Sequence, residues 1–172
     1  MTISMGVIVV AVLLFVGLYG GFSFSPAKPT GGVAATADVR AGFDTAARTA
    51  GFAVVVPQGV PASWHGSSFS VTDAPGTPQA PPTVRGGWLT PSGAFITLIQ
   101  SSGDPAAVLA TELGQTSGSR LGTVRTGGAD WTVNPGVRQE TAWWRVRCGV
   151  MLVITGSASP ADFAALAGAV RP

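Results

Sequence analysis

"GAFITLIQSSGDPAAVLATEL" occupies Gly93–Leu113, and "GVMLVITGSASPADFAALAGAV" occupies Gly149–Val170. Each copy reads as a glycine, an apolar run, a Ser/Gly patch, an Asp or Ser followed by proline, and an Ala-rich stretch with helical periodicity. A further strand pattern precedes each apolar run: "TVRGGWLT", joined by "PSG", before the first, and "TAWWRVRC" before the second. The repeated unit is therefore a β-hairpin whose second strand feeds a capped helix. A lone hairpin is marginal in water, so two units side by side complete a sheet that neither stabilises alone. "AFITLI" and "VMLVIT" carry apolar residues at both parities, the mark of strands buried on both faces. The expected fold is α+β: a mainly antiparallel sheet built from two hairpin–helix units, with helices packed on it.

The two repeat helices carry their own start signals. Asp104 and Ser159 stand at N-cap positions, each followed by proline at the first helical position. Ala106, Leu109, Ala110 and Leu113 make the expected inward stripe of the first. Phe163, Leu166, Ala167 and Val170 make that of the second. Upstream, "DVRAGFDTAARTA" is a helix capped by Asp38 and ended by Gly51. Its apolar face is Val39, Phe43, Ala46, Ala47 and Ala50; Arg40, Asp44 and Arg48 fall at i,i+4 steps on the opposite, solvated face, where they can pair. "FAVVVP" reads as a strand ending at Pro57, "WHGSSFSVT" as an alternating segment and "ADWTVN" as a short strand. "DAPGTPQAPP" (73–82) and "GQTSGSRLG" (114–122) read as loops.

Before the domain, Ile3–Phe24 carries no charge. At ~1.5 Å per residue this stretch matches the ~30 Å hydrocarbon core of a bilayer. A cleaved signal peptide needs a basic start and a nearby small-residue site. "MTIS" has no Lys or Arg, and Ala35-Thr36-Ala37 lies far downstream. A retained transmembrane helix over 1–24 is expected, with a flexible Pro/Gly linker over 25–37 and the α+β domain over 38–172. Positive-inside counting leaves orientation open, because Lys28 and Arg40 follow the helix and no cation precedes it.

Charge is sparse: 10 basic and 8 acidic residues, net +2, with no basic run. Phosphate backbones need clustered cations, so no nucleic-acid partner is expected. Cys148, the one cysteine, cannot close an internal disulfide and reads as a buried thiol in a strand. His65 is the one histidine and reads as structural. The carboxylates are dispersed, and phosphate loops, nucleophile elbows and zinc spacings do not occur. No catalytic, cofactor-binding or metal-binding residue is therefore assigned, and the protein is expected not to be an enzyme.

Five tryptophans remain: Trp64, Trp88, Trp131, Trp143 and Trp144. Trp88 and Trp144 take similar places in the two repeats and read as core residues. In "WWRVRC", strand alternation sets Trp143, Arg145 and Arg147 on one face and Trp144, Val146 and Cys148 on the other. An aromatic flanked by two arginines has interface-like composition, so Trp143, Arg145 and Arg147 are the candidate interaction surface.

The ordered set "GGFSFSPAKPTGG", a helix starting "DV", "VVVPQGVPASW", "GGWLTPSGAFITLIQSS", "ADWTV" and "VMLVITGSASPADFAALA" covers nearly the whole chain. It resembles the actinobacterial membrane-anchored family known as domain of unknown function 4245. The resemblance implies one N-terminal helix and a domain on the outer face of the plasma membrane, single-pass. It implies no catalytic residues. Together these readings lead to a tethered, non-enzymatic accessory module of the cell envelope with an envelope or membrane protein partner. The alternative is a membrane-tethered domain that binds a small molecule or lipid.

Overall fold

The computed structural model describes residues 36–72, 82–114 and 118–170. The expected anchor 1–24, the linker up to residue 35 and loop residues 73–81 lie outside the described residues. Among the described residues no helix is long and apolar enough to cross a membrane.

The elements run α1 (Val39–Thr49), β1 (His65–Thr72), β2 (Thr83–Leu89), β3 (Phe95–Ser101), α2 (Pro105–Leu113), β4 (Gly122–Thr126), β5 (Ala129–Pro135), a 3₁₀ turn (Val137–Gln139), β6 (Thr141–Arg147), β7 (Val150–Gly156) and α3 (Pro160–Ala169). Seven strands form one sheet in the order β1-β2-β3-β7-β6-β5-β4, and every neighbouring pair is antiparallel. The two hairpins, β2–β3 and β6–β7, meet along their second strands, as the doubled unit requires. The join is in register from Ile96↔Gly156 to Ser101↔Met151.

Helices cover both faces. Ile96 and Leu98 of β3 share one core with Val150, Leu152 and Ile154 of β7, under α1 and α3. Ile99, Met151 and Val153 face the other way, onto Val108, Leu109 and Leu113 of α2. This two-sided burial accounts for the apolar residues at both parities. A one-residue difference goes with the split. Leu98 and Ile154 are direct partners on the same face, yet Pro105 comes seven positions after Leu98 and Pro160 six positions after Ile154. The loops themselves are equal, three residues each, but β3 ends on the parity of Ile99 and β7 on the parity of Ile154, so each helix leaves toward the opposite side.

Parity also separates Trp88 from Trp144, which the repeat had paired. Leu89 and Phe95 flank a five-residue turn, whereas Arg147 and Val150 flank only Cys148-Gly149. Trp88 consequently points to the α1/α3 face and Trp144 to the α2 face, where its Nε1 donates to Asn134 Oδ1 at 2.9 Å. Cys148 is corrected as well. It is exposed in the two-residue turn, at φ 48 beside Gly149 at φ 77, the backbone of a type I′ hairpin.

The caps fall where the sequence placed them. Asp38 accepts from Ala41 N, Asp104 from Ala107 N, and Ser159 and Asp162 form a reciprocal capping box. The stripe of α2 differs from expectation: Val108, Leu109 and Leu113 face inward, while Ala106 and Ala110 are exposed. Burying large side chains releases more apolar area than burying alanines, and the helix is rolled accordingly. On α1, Ala47 is exposed and Arg48 donates to the Thr45 hydroxyl. β4 was missed altogether. "TVRT" and "ADWTV" flank Gly127-Gly128, both at positive φ, a two-residue hairpin signal that the surrounding Gly/Ser-rich stretch obscured.

The largest departure is "FAVVVP". It is not a strand of the sheet but an extended strap crossing the α1/α3 face. Gln100, fully buried on β3, holds it there. Val55 N donates to Gln100 Oε1 at 2.7 Å, and Gln100 Nε2 donates to Val55 O at 2.6 Å. The carboxamide thus does what a neighbouring peptide group would do in a ladder. Farther along, Gln58 N donates to Ala169 O at the C-terminus of α3.

Two predictions follow from this packing. Gln100→Leu keeps the volume but strands the Val55 N–H and C=O, so urea denaturation is expected to read a loss of about 2–4 kcal/mol. Gly42→Ala would ordinarily gain up to about 1 kcal/mol inside a helix. Here the new Cβ would fall 2.5 Å from the Phe69 ring, so the same measurement is expected to show a loss instead.

Candidate functional site

Trp143, Arg145 and Arg147 do share one face of β6, as alternation requires, and it is the face turned toward α3. Trp143 is 5% exposed, with its ring 5.2 Å from that of Phe163 on α3. Arg145 is half-buried, and its guanidinium lies 4.9 Å from the centre of the fully buried Trp131 ring. Its Nη2 donates to Val170 O at 3.0 Å. A cation over an indole and at a helix C-terminus is favourable on both counts. Burial, and then the charge of Arg147, pull the Arg145 guanidinium below its ordinary value. Arginine nonetheless remains a cation at any physiological pH. Arg145 Nε and Trp131 Nε1 are both buried without a hydrogen-bond partner among the described residues. Arg147, half-buried at the strand end, lines a shallow hollow of about 280 Å³ with Ala53–Val55 and Cys148.

The other residues weighed for chemistry stay apart. His65 is exposed at the start of β1. Among the described residues no three His, Cys, Asp or Glu side chains converge into a metal-binding group. Glu112 on α2 pairs with Arg85 on β2, and Asp130 pairs with Arg125 across the β4–β5 hairpin.

Sequence reasoning missed a groove between α1 and the strap. It measures about 310 Å³, and Phe43, Trp64 and Trp88 form its apolar floor. Pro57 to Ala62 of the strap make one wall, and Arg40 from the first turn of α1 stands opposite. Phe43 and Trp88 are stacked, with centroids 6.1 Å apart and planes 13° off parallel. Arg40 is exposed and has no hydrogen bond or ion pair among the described residues. Gly86 lets α1 sit this close to the sheet, since a Cβ there would run into Phe43 and Val39. The "VPQGVPASW" stretch held a signal, because its prolines and glycine keep this backbone out of a ladder and leave it as a wall.

The arrangement around Arg145 makes a quantitative prediction. Arg145→Ala removes the contact over Trp131 and the bond to the α3 terminus, and is expected to cost about 1–3 kcal/mol in chemical denaturation. Arg120→Ala, which loses an exposed bond to Thr123, is expected to stay within about 0.5 kcal/mol.

Comparison with curated proteins and with solved structures finds no match. A family model matches residues 1–170, nearly the whole length over which the ordered motifs run. The chain belongs to the family described as a protein of unknown function, DUF4245.

Proposed function

We propose that this protein is a non-enzymatic accessory module of the cell envelope, tethered by its N-terminal segment and working through a protein partner. The uncharged stretch Ile3–Phe24 supports a single-pass plasma-membrane anchor. The Pro/Gly-rich residues after it suit a tether for an extracytoplasmic domain.

The observation that carries the binding role is the groove between α1 and the strap. It is open, floored by rigid aromatic side chains and bordered by one uncommitted cation. Aromatic anchors flanked by arginine are the composition of protein-binding hot spots. The Trp143–Arg145 part of the β6 face is committed to holding α3, which directs the binding role to the groove.

The alternative reading, a bound small molecule or lipid, draws on the same aromatic floor. The core between sheet and helices is filled by Leu98, Leu152, Ile154, Phe163 and Leu166, all 0–1% exposed, which directs a ligand to the groove rather than the interior.

Cross-linking of the full-length protein in its native membrane, followed by gentle solubilisation and mass spectrometry, tests the proposal. One stoichiometric protein partner is expected, cross-linked through α1 and the strap. Repeated recovery of the protein alone, with a small molecule in native mass spectra, overturns it in favour of the alternative.

A further inference from the structure

We propose that the groove between α1 and the strap takes an extended peptide segment of the partner, with an apolar side chain on the aromatic floor and a carboxylate on Arg40. This rests on the interaction-module reading and names the chemistry of the partner's contact.

Charge makes the first part of the case. Among the described residues Arg40 is the charged side chain that lines the groove, and no carboxylate lines it. Asp44, one turn farther along α1, is outside the lining. An incoming anion therefore meets a guanidinium that makes no ion pair among the described residues and can grip a carboxylate with two parallel bonds. A basic segment would meet uncompensated repulsion at the same place.

The strap wall argues for a peptide over a lipid. The backbone N–H groups of Gly59, Val60 and Ala62 have no hydrogen-bond partner among the described residues. Gly59 and Ala62 are exposed and Val60 is half-buried. A peptide segment carries backbone carbonyls that can accept from such donors. A hydrocarbon chain offers nothing to those donors and would strip them of water. The floor supplies the remaining element, since Trp64 and Trp88 are 8% and 6% exposed. Such small exposed areas suit contact with one apolar side chain.

The test is selection of a random octapeptide display library on the full-length protein in nanodiscs, in parallel on the wild type and on Arg40→Glu. Wild-type selection is expected to enrich Asp or Glu beside an aliphatic residue. Selected peptides are expected to bind Arg40→Glu roughly tenfold or more weakly. Selection on the variant is expected to turn toward Lys and Arg. Because Arg40 is exposed, the variant is expected to melt with the wild type, and Arg40→Gln supplies a neutral form with intermediate affinity.

Enrichment of the same sequences on both proteins, or no enrichment on either, overturns the proposal. An oleate titration followed by tryptophan fluorescence runs alongside. Saturable oleate binding with no peptide enrichment assigns the groove to apolar anions and overturns it too. If membrane cross-linking still finds a protein partner in that case, the interaction-module reading stands and only the groove assignment falls.

Discussion

The antiparallel pairing of β3 with β7 is the constraint on which the other elements depend. Each strand belongs to a different hairpin, and each leaves one edge of unpaired backbone groups until the other arrives. Joining them makes a continuous sheet but leaves both surfaces of its centre uncovered. One helix cannot cover both, and the two copies resolve this by ending their strands on opposite faces before loops of equal length. α2 then closes one side and α3 the other. α2 is nine residues long, roughly 13 Å, against a seven-stranded sheet roughly 29 Å across. It therefore covers the centre of its face, and the outer strands there carry polar residues such as Thr123, Arg125, Asp130 and Thr132.

The opposite face is closed by three pieces rather than one, and the smallest governs the geometry of the groove. α1 lies over β1 and β2, and α3 lies over the central pair β3 and β7 and the strands beyond it. Between them runs the strap, which has no strand partner of its own. A bare backbone laid on an apolar face would bury unpaired peptide groups. Gln100 removes that penalty by presenting an amide from within β3, at a position where its neighbours Leu98 and Leu152 are fully apolar. The strap is thereby fixed at Val55 and at Gln58, and its next residues swing out to form a wall. The groove is a consequence of how this face is closed, and its shape is set by hydrogen bonds several residues from its floor.

The legible parts of the sequence were those decided locally. Asp38, Asp104 and Ser159 are read as caps because capping is settled within four residues. The two hairpins are read because alternation and turn residues lie side by side. Side-chain size was legible too and under-used: weighting Val108 and Leu109 over Ala106 and Ala110 gives the true stripe of α2. What could not be read depends on distant partners. "FAVVVP" has every local property of a strand, and only the carboxamide of Gln100, 45 positions away, converts it into a strap. Trp143, Arg145 and Arg147 were sorted correctly by alternation, but alternation cannot say which side α3 will occupy.

That last point bears on how arginines are read in a chain this poor in charge. Arg145 and Arg40 are the same residue type, and both stand near tryptophans. One lies over Trp131 and is bonded to the end of α3, so its charge is already used in holding a helix to the sheet. The other projects from the first turn of α1, where a cation gains nothing from the helix dipole, whose positive end it faces. Among the described residues that guanidinium makes no hydrogen bond or ion pair, and it stands beside an aromatic floor. Its charge is therefore open to a group from outside the chain, whereas that of Arg145 is not.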